Sequence, residues 1–159
     1  MPPAWRLCKA RHITTAWDGR GAAATGGRWN SPGTPVVYTA SSRALAMLEI
    51  LVHLAGADVL SAYVAIQIDF EESQVTVLGA SELPPNWQAY PHPPETRAIG
   101  DDWVARLRTP VLRVPTAVVP FALEQLPLEV NYLLNPNHPE FARLRSGPPL
   151  PFGLDPRLR

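Results

Sequence analysis

The sequence offers a single cysteine, Cys8, so no disulfide forms within the chain and no cysteine cluster can bind a metal. Next to the first apolar residues, Cys8 reads as a small buried hydrophobe. Net charge is also missing, with 14 basic against 14 acidic residues. That balance argues against a broad electrostatic grip on nucleic acid or acidic membranes, and leaves room for a local basic pocket. No run of about 18 apolar residues is present to span a bilayer, and the N-terminus lacks a charged-then-apolar signal pattern. A cytoplasmic protein with no membrane partner is the expectation. Familiar motifs are absent too. No GxxxxGKS, GxxxxGKT or GxGxxG occurs to cradle phosphates. The 4 histidines show no HExxH spacing for zinc, and no GxSxG elbow supports a serine triad. Zinc hydrolysis is therefore disfavoured.

What is present fits one globular domain over residues 1–159, with 46% hydrophobic and 18% charged residues and enough length for a sizeable core. The 19 prolines fall mostly after position 83, so much of the second half should be rigid loop and turn. Ala4 to Cys8 reads as a first strand. Residues 17–35 are crowded with glycine, proline and polar side chains, and predict a long loop of the kind that often carries function. Val36 to Thr39 is a strand by its β-branched and aromatic content. Ser41 and Ser42 can cap a helix from Arg43 to Ala55, closed by Gly56, with Leu45, Leu48, Leu51, Val52 and Ala55 as its apolar arc. Residues 61–70 and 74–78 read as strands, and 81–94 as a proline-rich loop carrying Trp87, Tyr90 and His92. A short helix should begin near Asp101. Prolines confine the stretch 111–120 to an edge or irregular strand. Residues 127–134 fit a strand or a helical turn. The tail, 147–159, keeps Phe152 and Leu154 as anchors onto the core.

Three polar residues stand out. Arg28 follows Gly26 and Gly27, which let the backbone approach a ligand, and a guanidinium pairs with phosphate bidentately. Tyr38, on the second strand, can be core or can stack on a planar ring and donate a hydrogen bond. Glu49 rides the flank of a core helix beside Ala46 and His53, where a carboxylate is costly unless it is paired or faces an open cleft. An ion pair with Arg28 is one resolution. A glutamate beside a sugar that stabilises positive charge at the anomeric carbon is another. His92 and His138 lie in proline-rich turns, where surface placement is expected.

The motifs in order are Trp5-Arg6, GGRWN at 26–30, Val37-Tyr38, AMLE at 46–49, IGDDW at 99–103, RVPT at 113–116, NYLLNP at 131–136 with His138-Pro139, and DPRL at 155–158. Together they resemble the RES domain, the toxin half of bacterial RES–Xre toxin–antitoxin pairs, over nearly the whole chain. The resemblance implies an α+β fold: a single domain with a compact mixed or antiparallel sheet core like that of ADP-ribosyltransferase toxins. It implies breakdown of NAD⁺ at the nicotinamide–ribose bond, with NAD⁺ as substrate, no resident cofactor or metal, and inorganic phosphate as a possible co-substrate. Arg28, Tyr38 and Glu49 then stand at the family's arginine, tyrosine and glutamate positions. The serine position falls on Thr116, which keeps the hydroxyl but restricts χ1. Arg28 and Glu49 are thus the expected catalytic residues, and Tyr38, Thr116, Asn131 and Trp29 the expected substrate-binding ones. An Xre-like helix-turn-helix antitoxin covering the cleft is the implied partner, in a hetero-oligomer, with no direct binding of nucleic acid by this chain. Phosphorolysis and hydrolysis both remain open, as do ADP-ribosylation of a protein and a non-catalytic nucleotide-binding module.

Overall fold

The computed structural model describes residues 3–54, 62–119 and 128–158. Its strands are β1 (Ala4–Lys9), β2 (Val37–Ala40), β3 (Tyr63–Asp69), β4 (Val75–Val77), β5 (Val111–Pro115), β6 (Val130–Leu134), β7 (Arg145–Ser146) and β8 (Leu150–Phe152). The helices are α1 (Arg20–Thr25), α2 (Arg43–Leu51) and α3 (Pro94–Arg106). All eight strands join one sheet in the order β4-β5-β6-β2-β1-β3-β7, with β8 also on β3. Every pairing is antiparallel except β4 with β5. The α+β architecture with a mixed sheet is the one expected.

Period-two alternation splits the core between two faces. Val37, Val111, Tyr132 and Leu134 pack with Ile68, Phe70 and Leu144 on one side. Leu112, Val114 and Leu133 turn to the other side, where they meet Trp29, Trp87 and Trp103 beneath α3. Leu7, Ala40 and Tyr63 receive Leu45 and Ala46 of α2.

Four local expectations change. The stretch 17–35 is not loop throughout: α1 occupies Arg20–Thr25, because Ala22, Ala23 and Ala24 outweigh the glycines around them. Helix α3 starts at Pro94, well before Asp101, with proline at the helix start where its missing N–H costs nothing. Strand β5 is interior, flanked by β4 and β6, since Pro110 and Pro115 bracket its ends and leave the ladder intact. Helix α2 ends at Leu51 and buries Leu45 and Ala46, while Leu48 and Val52 are exposed. Ala46, Glu49 and Ile50 line one cavity, joined just past the helix end by Val52 and the exposed His53. Ser42 caps α2, its Oγ accepting from Leu45 N at 3.0 Å, whereas the closing Gly56 lies outside the described residues. In the tail, Leu154 is buried and Phe152 packs against the same cluster, as anticipated. Residues 130–134 form a strand buried along its whole length, and Pro127 lies outside the described residues.

One break in the sheet positions everything that follows. β1 and β2 pair only at Trp5 opposite Ala40. Beyond that point a side chain replaces the ladder, with Arg6 Nη1 donating to Tyr38 O at 3.2 Å.

Candidate active site

A cavity of about 940 Å³ opens at this break. Among its lining residues are Arg6, Arg28, Tyr38, Glu49, His92 and Asn131. Among the described residues, no group of three or more His, Cys, Asp or Glu is placed to hold a metal ion, and no helix is long and apolar enough to cross a membrane.

Arg28 sits on a tight turn closed by Gly27 N donating to Asn30 O at 2.9 Å. Gly27 is required there, since a Cβ would lie 2.7 Å from the Tyr38 hydroxyl oxygen. Asn30 is fully buried and organises the turn, its Nδ2 donating to Ala22 O at 2.9 Å and Thr34 O at 3.0 Å. Tyr38 supports the same turn: its hydroxyl donates to Asn30 Oδ1 at 2.7 Å and accepts from Trp29 N at 3.1 Å. Burial pushes this phenol well above its ordinary range, so it stays protonated. Helix α3 clamps the turn from outside. Thr96 Oγ1 donates to Arg28 O at 2.6 Å, Arg97 Nε to Gly27 O at 3.0 Å, and Asp101 Oδ1 accepts from Ser31 N at 2.9 Å. Gly100 lies against the Trp29 backbone, where any Cβ would collide with the Trp29 carbonyl.

The Arg28 side chain faces inward, and its Nη1 donates to Trp87 O at 2.7 Å and Ala89 O at 2.8 Å. It thereby fixes the proline-rich loop that forms one cavity wall. Partial burial lowers its pKa, and the nearby Glu49 and Tyr38 oppose that shift. No ion pair joins Arg28 to Glu49 among the described residues, so the two act on each other through space. Nε and Nη2 of Arg28 donate to no described residue.

Glu49 reaches the cavity from α2, half-buried, and its Oε1 accepts from Thr116 Oγ1 at 2.6 Å. Thr116 is 1% exposed and its hydroxyl also accepts from Val118 N at 3.1 Å. With its one proton given to Glu49, Thr116 is a positioning residue behind the carboxylate. It does not line the cavity, although Pro115, Ala117 and Val118 do. Asn131 does line it, held from β6 by Nδ2 donating to Thr39 O at 3.3 Å.

The sequence-predicted residues therefore separate. Arg28, Tyr38, Glu49 and Asn131 converge on the cavity. Tyr38 presents ring surface there while its hydroxyl is spent internally. Trp29 lines the cavity as well, although it is only 2% exposed and packs with Trp87 and Trp103. Thr116 stands behind Glu49. Two residues were missed. Arg6 borders the cavity, half-buried, with Nε donating to Ala16 O at 3.2 Å; desolvation lowers its pKa, opposed by Cys8 and Asp18. A charged residue inside a short apolar strand was the available signal for it. His92, expected at the surface, lines the cavity instead. His138 is also buried: its Nδ1 accepts from Glu140 N at 3.0 Å, so Nε2 carries the proton donated to Leu107 O at 3.0 Å.

The sequence pattern of the RES domain matches residues 3–155. The chain belongs to the RES domain family. A curated relative named Toxin Res, from Yersinia enterocolitica, is 40% identical over 156 residues and covers 98% of each chain. Another RES relative, the Prs ADP-ribosylating toxin of Sphingobium sp., is 37% identical over 159 residues, covering 97% of this chain and 94% of its own. Among solved structures, a chain of the M. tuberculosis MbcT–MbcA toxin–antitoxin complex shares the fold. Its TM-score is 0.75 at 20% identity, covering 98% of this chain and 85% of that one.

Proposed function

We propose that this protein is the toxin of a toxin–antitoxin pair and cleaves NAD⁺ at the nicotinamide–ribose bond. The observation that carries this reading is Glu49, a half-buried carboxylate fixed by Thr116 at 2.6 Å and turned into a cavity that also holds Arg28. A fixed carboxylate suits a reaction in which positive charge builds at a sugar carbon, because it stabilises that charge without having to reorganise. Nicotinamide arrives cationic and leaves neutral, so no general acid is needed, and none is expected of Tyr38, whose proton is held by Asn30.

In this reading Glu49 accepts from a ribose hydroxyl and stabilises C1′ as the nicotinamide departs. Arg28, already committed through Nη1 to the wall carbonyls, has Nε and Nη2 left for a phosphate oxygen. The Tyr38 ring packs on the nicotinamide or its ribose, and Asn131 supplies an orienting amide. NAD⁺ is consumed as substrate, and the acceptor is water or inorganic phosphate. A second reading, transfer of ADP-ribose to a protein, is favoured by the Sphingobium relative, whose name describes that chemistry. An Xre-like antitoxin covering the cavity is the proposed partner, supported by the toxin–antitoxin complex that shares the fold.

Incubating purified protein with NAD⁺, with and without phosphate, tests the proposal. Nicotinamide release in both conditions identifies hydrolysis, and release only with phosphate identifies phosphorolysis. Absence of release in either, with no protein labelled by the ADP-ribose moiety, would sink it.

A further inference from the structure

We propose that His92 is a further substrate-contacting residue of this cavity, its imidazole hydrogen-bonding the diphosphate of the bound dinucleotide. The inference rests on the NAD⁺ reading above. His92 lines the same cavity as Arg28 and Glu49, brought there by the proline-rich loop. That loop is fixed. Arg28 grips the carbonyls of Trp87 and Ala89, and the Trp87 indole is buried in the core. The imidazole itself rests edge-on against Tyr90, with ring centroids 5.4 Å apart and planes at 88°.

A half-buried ring on a fixed loop would be expected to have its enclosed nitrogen satisfied. Instead, Nδ1 is enclosed and has no hydrogen-bond partner among the described residues. Buried polar side-chain atoms are nearly always paired, so an unspent one in the wall of a binding cavity points to a partner that the protein does not supply. The charged surroundings specify that partner. The groups whose fields reach His92 are Arg28 from the glycine turn, Arg97 from α3 and His53 from the end of α2. Glu49, the nearest carboxylate of the site, acts on Arg28. Two guanidinium groups, Arg28 and Arg97, and an unspent imidazole fit an anion. In NAD⁺ the anionic part is the diphosphate.

The same surroundings give a proton signature. Burial, then Arg28, Arg97 and His53, hold the imidazole below its ordinary range, so it is neutral in the empty cavity. A diphosphate placed among these groups reverses the field and lets the ring take up a proton from solvent. Affinity for the diphosphate should therefore rise as pH falls between the free and bound values.

ADP-ribose keeps the diphosphate and has no nicotinamide bond to cleave. It can be titrated calorimetrically into the wild type, His92→Phe and His92→Ala at about pH 6 and about pH 8, in buffers of different ionisation heat, with adenosine as the phosphate-free control. His92→Phe keeps a ring against Tyr90, so it carries the comparison even where His92→Ala loses stability. The expected result is binding weakened roughly tenfold or more at the lower pH in both variants, with a smaller loss at the higher pH. Proton uptake seen in the wild type should vanish, and adenosine binding should not change. Equal ADP-ribose affinities, or proton uptake that persists without His92, would overturn this role and leave NAD⁺ cleavage standing. Failure of the wild type to bind ADP-ribose would overturn both readings.

Discussion

The two sides of the candidate site are built in opposite ways. The Arg28 side is a turn of irregular backbone, yet it is held by Asn30, Tyr38, Thr96, Arg97 and Asp101, and is pressed against Gly100. The Glu49 side is a regular helix of nine residues whose Leu48 is exposed, as is Val52 just past its end. Its carboxylate is held among the described residues by one hydrogen bond, from Thr116. Regularity of backbone and rigidity of site are thus separate properties. Rigidity follows the number of satisfied polar groups and the tightness of packing, which here favour the turn.

Substitutions can break or sharpen this contrast. Glu49→Gln should have the largest effect, lowering NAD⁺ turnover by about 10²–10³-fold, since it removes a charge that acts on the transition state. Its thermal unfolding should stay close to wild type, because Thr116 can still donate to the amide oxygen. Gly100→Ala attacks the rigid side and should cost roughly 2–3 kcal/mol of stability in urea unfolding, because the Trp29 backbone has no room to retreat. A fully stable Gly100→Ala protein would show that the turn is more yielding than its hydrogen bonds suggest. Tyr38→Phe leaves Asn30 Oδ1 and Trp29 N without their partner and should cost about 1–2 kcal/mol by the same measurement. Turnover at saturating NAD⁺ should fall by less than it does for Glu49→Gln, since the ring remains. Thr116→Val frees the Glu49 carboxylate and should lower kcat about tenfold with KM little changed, while Thr116→Ser should be nearly silent. A Thr116→Val enzyme with wild-type kcat would mean that α2 alone aligns the carboxylate.

Some of this was legible in the sequence. A carboxylate on the flank of a core helix and a guanidinium after two glycines are chemically conspicuous, and Arg28 and Glu49 do share the cavity. Local propensity located most strands, because β-branched runs such as 36–39 and 111–114 carry their own signal. The errors share one cause: side-chain alternation and helical period do not say which neighbour an element meets. Leu48 fits an apolar arc, yet it is exposed, and α2 turns the face bearing Glu49 to the cavity. Thr116 looked like a ligand contact because its hydroxyl is visible in sequence and the Glu49 oxygen that takes its proton is not. His92 was assigned to the surface because a proline-rich turn usually lies there, and only the Arg28 grip on residues 87 and 89 folds it back.

The arrangement of the sheet also sets when the site can exist. β2, which carries Tyr38, is bonded on one side to β1 at the start of the chain and along its length to β6 at Val130–Leu134. Glu49 waits for Thr116, and Asn131 arrives with β6. Chain growth therefore supplies the arginine and glutamate early and their supports late. A polypeptide still emerging from the ribosome with only its first hundred or so residues lacks Thr116 and β6, so the cavity assembles only after β6 has been made.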